Sequence, residues 1–190
     1  MIPGRDAAEA GTRIARALEA AGIDYALGGA LALGAHGVPR GTLDVDVNVF
    51  AEESDLPRVF AALRALGIEI AKDTAMARAR RDGMFVGRWD GMRIDVFTPS
   101  IPFSLEAART RVQIAAPDGG ADWFLSAEAL TVFKLLFARA KDFVDLERLL
   151  AVQGDRLDRA YVRRWIADMM GEQDERTARW DELCRTFPPA

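Results

Sequence analysis

The stretch that decides the fold is GGALALGAHGVPRGTLDVDVNVF, residues 28–50. Its second half alternates strictly, which predicts a strand that carries Asp44, Asp46 and Asn48 on one face and valines on the other. Two residues along a strand span roughly 7 Å, and carboxylates at that spacing repel each other unless they are neutralised. A hard divalent cation, Mg²⁺ or Mn²⁺, would relieve this repulsion through oxygen ligands.

A second strand supplies a third carboxylate, Asp95. The segment MFVGRWDGMRIDVF, residues 84–97, contains Asp90-Gly91, a strong signal for a β-hairpin. If the second strand of this hairpin neighbours residues 44–50 in the sheet, Asp95 joins the first two aspartates. Three carboxylates on adjacent strands would form a two-metal site for in-line displacement at phosphorus. The alternative is that these aspartates lie on a solvated sheet face or cap a turn.

The two glycines precede the aspartates, at the point where a strand ends and a helix begins. Gly28 and Gly29 lack Cβ atoms, so the backbone can approach a ligand, and a helix N-terminus there favours an anion such as a triphosphate. A tight strand–helix turn is the alternative. Arg40 and Thr42 are candidate ligands of phosphate oxygens, or else turn residues around Pro39.

Patterns in the rest of the chain predict an α/β (α+β) protein with a mixed sheet flanked by helices. Further helices are expected at residues 6–21, 30–36, 54–66 and 102–109, and further strands at 23–29, 68–71 and 112–116. From Ser126 onward the spacing is helical throughout. We therefore expect an α/β core over residues 1–120 and a C-terminal helical region over 121–190.

Composition limits the classes of function. The 190 residues are half apolar and carry a formal net charge of −4. No apolar run reaches the length of about 18 residues that a membrane span needs, the N-terminus lacks the order of a secretory signal, and the single Cys184 cannot form an internal disulfide. We expect a cytoplasmic protein with no membrane partner and no extensive non-specific nucleic-acid binding, although a local basic patch stays open.

Taken together, these residues resemble the active-site signature of the nucleotidyltransferase superfamily. That signature is Gly-Gly or Gly-Ser at a helix start, Asp-x-Asp on the next strand and a later single Asp. The form HG-x-x-R-x-T-x-D-x-D, residues 36–46, is most similar to the minimal and AbiEii-type branches, which include toxins of toxin–antitoxin systems. Antibiotic nucleotidyltransferases have a similar pattern.

The resemblance implies the nucleotidyltransferase fold and transfer of a nucleoside monophosphate from an NTP to a hydroxyl acceptor. Gly28 and Gly29 would cradle the triphosphate, and Asp44, Asp46 and Asp95 would bind Mg²⁺ or Mn²⁺. Asp95 would also act as the base toward the incoming hydroxyl. Glycine stands at the second position, where serine is often found, which removes a side-chain contact with phosphate.

The helix that follows Ser126 extends the resemblance over most of the chain. Lys134 followed by Arg139-x-Lys141-Asp142-x-x-Asp145 is similar to the AbiEii-type pattern, and Lys134 is a candidate phosphate ligand. An amphipathic helix with pairs such as Lys141 and Asp145 is the alternative. In either case we expect Asp142 and Asp145 to support the structure or the residues around the site.

The acceptor and the biological partner stay open at this point. The acceptor could be RNA, protein or a small molecule, and a toxin of this type would have a cognate antitoxin protein as its partner. The alternative class of function is a non-catalytic binding module of a toxin–antitoxin pair that keeps the nucleotidyltransferase fold.

Overall fold

The computed structural model describes residues 6–116 and 118–188, which form two compact units. The first unit contains the described residues up to Leu31 and those from Gly41 to Leu125. The second contains Ala32–Arg40 and the described residues from Ser126 onward.

A mixed sheet forms the centre of the first unit. Its described strands are β1 (Tyr25–Leu27), β2 (Asp44–Val49), β3 (Met84–Trp89), β4 (Met92–Phe97), β5 (Val112–Ala115) and β6 (Ala121–Phe124). Their order is β3-β4-β2-β1-β6-β5. The pairs β2–β4 and β1–β6 are parallel, whereas β1–β2, β3–β4 and β5–β6 are antiparallel. The predicted mixed sheet and the predicted hairpin are both confirmed.

Helices cover the sheet of the first unit. They are α1 (Ala7–Ala20), α2 (Gly29–Ala35), which ends in the second unit, α3 (Leu56–Ala65), α4 (Lys72–Asp82) and α5 (Phe103–Thr110). Helix α1 begins where the Asp6 side chain accepts a hydrogen bond from the Ala8 N–H, and it packs against β1, β2 and α3. Ile14 on α1 and Val45 and Val47 on β2 are fully buried, so the valine face of β2 is the core face.

Four details differ from the sequence prediction. The strand expected at 68–71 is a single bridge between Glu69 and Arg88, and helix α4 follows it. Helix α4 is mostly polar and buries only Ala75 and Ala79. Its sequence therefore lacks the apolar periodicity from which a helix is predicted. The helix expected from residue 54 begins at Leu56, after a 3₁₀ turn. Strand β6 was not predicted, and it extends the sheet into the segment assigned to the helical region.

The second unit is helical, as the pattern from Ser126 predicted. Its helices are α6 (Ala127–Phe137), α7 (Ala140–Gln153), α8 (Arg159–Met170) and α9 (Glu175–Thr186). Helix α6 packs against α7 and α8, and α8 packs against α9, around the buried side chains of Leu135, Leu149, Val162, Ile166 and Trp180. Over the described ranges 6–116 and 118–188, the helices are too short or too polar for a bilayer span.

Candidate active site

The two strands that carry the predicted carboxylates are neighbours. Strands β2 and β4 pair in parallel, with Asp46 opposite Asp95 and Asp44 opposite Arg93. Residues that lie directly opposite each other in a sheet share a face. Asp44, Asp46 and Asp95 therefore lie on one face, away from the buried valines, and each is half-buried. The strand adjacency that the sequence left conditional is confirmed.

The positive group beside these carboxylates is Arg93, which the sequence prediction did not include in the site. Its Nε lies 2.8 Å from Oδ1 and 3.0 Å from Oδ2 of Asp95. The hydrogen bond to Asp95 raises the pKa of Arg93 and outweighs desolvation, and the charges of Asp95, Asp44 and Asp46 raise it further. The strict alternation of β4 already placed Arg93 on the face of Asp95, and that was the signal available in the sequence.

One oxygen of Asp95 is buried beside the Arg93 guanidinium. Oδ1 is buried and accepts no well-oriented hydrogen bond from the part of the chain that the structure describes, although it lies close to Arg93. A buried carboxylate oxygen is costly unless a cation or a donor meets it, and in this structure the Arg93 guanidinium is that cation.

Asp44 is held by the residue two positions before it. The Thr42 hydroxyl donates a hydrogen bond to Oδ1 of Asp44, and the Asp44 N–H approaches the Thr42 hydroxyl oxygen at 3.4 Å. Thr42 therefore fixes the entry into β2 and the orientation of the first aspartate. Its predicted contact with a phosphate stays a prediction.

The glycines bring the backbone against the second aspartate. The Gly28 N–H donates to the Asp46 carbonyl oxygen at 2.9 Å. Gly29 has a φ of +51°, and a Cβ built there would lie 1.8 Å from Oδ2 of Asp46. A serine at this position would collide with the carboxylate and would also be strained. The glycine that departs from the common pattern thus has a steric reason in this chain.

The three carboxylates are chemically suited to a hard cation, because carboxylate oxygens are the ligands that Mg²⁺ prefers. Among the residues the structure describes, however, no three His, Cys, Asp or Glu side chains converge as a metal-holding group. Asp44 is turned to Thr42, and Asp95 is turned to Arg93. For Asp95 to bind a cation, its carboxylate has to give up or share the contact with Arg93. The predicted metal triad stays a prediction.

In the second unit, Lys134 lies in a group of charges that we call the buried charge cluster: Arg40, Lys134, Arg139, Asp142 and Asp145. The Lys134 Nζ lies 2.7 Å from Asp145 Oδ2 and 3.4 Å from Asp142 Oδ1. Arg40 Nε lies 3.2 Å from Asp145 Oδ1, and Arg139 Nε lies 2.7 Å from Asp142 Oδ2. Burial raises the pKa of Asp142, but the Arg139 hydrogen bond and the Lys134 charge outweigh it, so the net pKa is lowered.

The buried charge cluster replaces the helical pair that the sequence offered as an alternative. Asp145 binds Lys134 and Arg40, whereas Lys141 is exposed. The expected supporting role of Asp142 and Asp145 agrees with their burial and their partners. The phosphate contacts predicted for Arg40 and Lys134 stay predictions.

Comparison with known proteins identifies the fold. No family model and no curated protein matches the sequence. Two solved structures of the antibiotic-resistance factor ANT(2″)-Ia match with TM-scores of 0.52 at 13% and 15% identity, covering 92% and 95% of this chain and 89% and 95% of that chain. An antigenic nucleotidyltransferase-like protein from Paracoccidioides brasiliensis matches with a TM-score of 0.54 at 16% identity, covering 96% of this chain and 89% of that one.

These similarities define the fold of the protein. The chain has the nucleotidyltransferase fold, as its signature predicted. At such low identities the likeness concerns the fold, and it does not single out the AbiEii-type branch.

Proposed function

We propose that this protein is a metal-dependent nucleotidyltransferase, which moves a nucleoside monophosphate from an NTP to a hydroxyl acceptor. The observation that carries the proposal is the register of β2 and β4, which sets Asp46 opposite Asp95 with Asp44 on the same face. Paired carboxylates on one face suit phosphoryl-group transfer because they can hold divalent cations, which neutralise the negative charge that gathers at the phosphates.

The proposed reaction is a displacement at the α-phosphorus of the NTP. The acceptor oxygen forms a bond to that phosphorus, the bond to the pyrophosphate oxygen breaks, and the hydroxyl proton passes to the Asp95 carboxylate. Gly28 and Gly29 would hold the triphosphate through their backbone, beside the Asp46 carboxylate that packs against Gly29. Mg²⁺ or Mn²⁺, held by Asp44, Asp46 and Asp95, would supply the positive charge that neutralises the phosphates.

The signature also assigns phosphate contacts to Thr42 in the first unit and to Arg40 and Lys134 in the second. Each already binds an aspartate, so each would reach a phosphate only alongside that contact or in exchange for it. Arg40 is the more accessible cation, with 29% of its side chain exposed against 6% for Lys134. We therefore expect Arg40 to make the more direct phosphate contact of the two.

Two settings are compatible with this chemistry. ANT(2″)-Ia has been solved with adenylyl-2″-tobramycin, which makes a small-molecule acceptor one possibility. The resemblance to AbiEii-type proteins suggests a cytoplasmic toxin that acts on RNA or protein and is held by a cognate antitoxin. A non-catalytic module of such a pair is the second candidate, and the Arg93–Asp95 contact favours it, because a guanidinium already neutralises the third carboxylate.

Calorimetric titration of each of the four NTPs with Mg²⁺ tests the proposal. We expect the wild type to bind one or more NTPs only with metal. The variant Asp44→Asn/Asp46→Asn should lose at least about a hundredfold in affinity, because two charge-assisted contacts disappear. The exposed pair Asp73→Asn/Asp155→Asn removes the same charge elsewhere and should bind like wild type. A folded wild type that binds no NTP contradicts the enzyme and favours the non-catalytic module.

A further inference from the structure

A groove at the sheet edge of the first unit is lined with arginines. Its volume is about 710 Å³, and Arg64, Arg78, Arg88 and Arg93 line it. Helix α3, helix α4 and strands β3 and β4 contribute one of them each. We call this the arginine groove. Its volume lies in the range of ligand-binding clefts, and its charges are spread over four elements of the fold.

The arginine groove leads to the sheet carboxylates. In the antiparallel β3–β4 pair, Arg88 lies opposite Arg93 and Val86 lies opposite Asp95. Directly opposite residues share a face, so Val86 and Arg88 lie on the face that carries Asp95. Arg93 both lines the groove and contacts Asp95. Arg93 therefore connects the groove to the proposed catalytic base.

The charge of the arginine groove is poorly compensated. Within the described part of the chain, Arg64, Arg78 and Arg88 are exposed and form no ion pair, and Glu69 is the carboxylate that lines the groove. Many other arginines of this chain bind a carboxylate directly, including Arg16, Arg58, Arg80, Arg109, Arg111 and Arg163. In a chain with a net charge of −4, this local excess of positive charge points to an anionic ligand.

We propose that the arginine groove binds the acceptor and that the acceptor is a nucleic-acid strand with a terminal hydroxyl; this rests on the proposed function. Guanidinium groups match phosphate oxygens in geometry and charge, and a phosphodiester strand repeats that charge along a groove. A polycationic aminoglycoside would be repelled by the same four arginines.

A nucleic-acid strand in the arginine groove would react through its terminal hydroxyl. Its terminal hydroxyl oxygen forms the bond to the α-phosphorus as pyrophosphate leaves, and the hydroxyl proton passes to Asp95. Phosphates further along the strand are held by Arg64, Arg78 and Arg88. These three arginines bind the acceptor and leave the NTP site untouched.

Transfer of labelled nucleoside monophosphate from an NTP labelled at the α-phosphate, with Mg²⁺, tests the assignment in the full chain. The acceptors offered are short single-stranded RNA, short single-stranded DNA and an aminoglycoside. The groove variant is Arg64→Gln/Arg88→Gln, and the control variant is Arg148→Gln/Arg185→Gln. The control arginines are also exposed, lie in the second unit and remove the same charge. We expect label on a nucleic-acid strand, with kcat/KM for that strand lowered about tenfold or more in the groove variant alone.

Binding of the labelled strand without NTP gives a second readout. Fluorescence anisotropy at several salt concentrations should show a slope of log K against log salt that is smaller by about 1.4 in the groove variant, since two phosphate contacts of a single strand are lost. NTP affinity, measured by calorimetry, should be the same in both variants and in wild type.

Three results would overturn the assignment. The first is label on the aminoglycoside instead of a strand. The second is equal strand labelling by the groove variant and wild type, and the third is a strand affinity that the groove variant leaves unchanged. Failure of the proposed function is a different result, because then no NTP binds to the wild type at all. If the strand binds but no NTP does, both the proposed enzymatic activity and the proposed role of the strand as acceptor are rejected.

Discussion

Two groups of aspartates in this chain pair with cations, but they differ in how far water reaches the pairs. In the buried charge cluster, the side chains of Lys134, Asp142 and Asp145 are 6%, 1% and 4% exposed. On the sheet face of the first unit, Asp95 is 14% exposed and its partner Arg93 is 48% exposed. The ion-pair distances are similar, at 2.7 Å for Lys134–Asp145 and 2.8 Å for Arg93–Asp95.

The difference in exposure decides what each group can do. Breaking a buried pair leaves a charge in a medium that solvates it poorly, so the partners stay together and support the fold. A pair whose guanidinium is about half exposed contributes less, because water and salt compete with it. The sheet carboxylates can therefore exchange a protein cation for a ligand at lower cost than the carboxylates of the buried charge cluster can.

The largest effect that tests this comparison is Lys134→Met. Removing the ammonium leaves the carboxylates of the buried charge cluster short of one cation, and we expect a loss of about 3 kcal/mol in the free energy of unfolding. Urea denaturation followed by circular dichroism measures it, and the exposed Lys141→Met serves as the control with a change under about 0.5 kcal/mol. A loss below about 1 kcal/mol would show that Lys134 is free to serve as the phosphate ligand that the sequence suggested.

Gly29→Ala tests how tightly the sheet carboxylates are built. The new Cβ meets the Asp46 carboxylate, and the positive φ of +51° adds strain, so we expect a loss of about 1–3 kcal/mol in stability. Displacement of Asp46 should also weaken metal-dependent NTP binding about tenfold or more. Gly41→Ala is the matched control, because a Cβ there meets nothing within 4 Å. Thermal unfolding and calorimetry measure the two effects, and a stable Gly29→Ala protein with unchanged NTP affinity would contradict this account.

The sheet side of the comparison was largely predictable from sequence. Alternation placed Asp44 and Asp46 on one face, and the Asp90-Gly91 turn, with both residues at positive φ, fixed the hairpin that presents Asp95. What the sequence could not provide was the parallel β2–β4 pairing, because a long-range strand contact leaves no local pattern. The structure shows this pairing directly.

The buried charge cluster was harder to predict. Spacing along one helix suggests pairs three or four residues apart, and Lys141 with Asp145 satisfies that rule. Lys134 instead reaches Asp145 from the preceding helix, which depends on how α6 packs against α7. Helix α4 was missed for a related reason, because its buried residues are two alanines that carry no recognisable period. Tertiary packing, rather than local pattern, decided both.

Arg93→Gln should have the smallest effect on stability, and it is the sharpest test of the Arg93–Asp95 pair. Because Arg93 is 48% exposed, we expect its loss to change stability by less than about 1 kcal/mol. Its charge opposes any cation bound by Asp44, Asp46 and Asp95, so its removal should raise Mn²⁺ affinity roughly three- to tenfold in calorimetry without NTP. Arg88→Gln is the control, since Arg88 lies opposite Arg93 on β3 and makes no contact with Asp95 within the described residues.

The direction of the change in Mn²⁺ affinity separates two roles for Arg93. A rise would mean that Arg93 and the cation compete for Asp95, so that metal binding releases the guanidinium toward the arginine groove and the acceptor's phosphates. A fall would mean that Arg93 holds Asp95 in the orientation that the metal needs, and the two groups of aspartates would then both be structural pairs. In that case the difference in exposure would no longer account for a difference in function, and the proposed exchange at Asp95 would have to be abandoned.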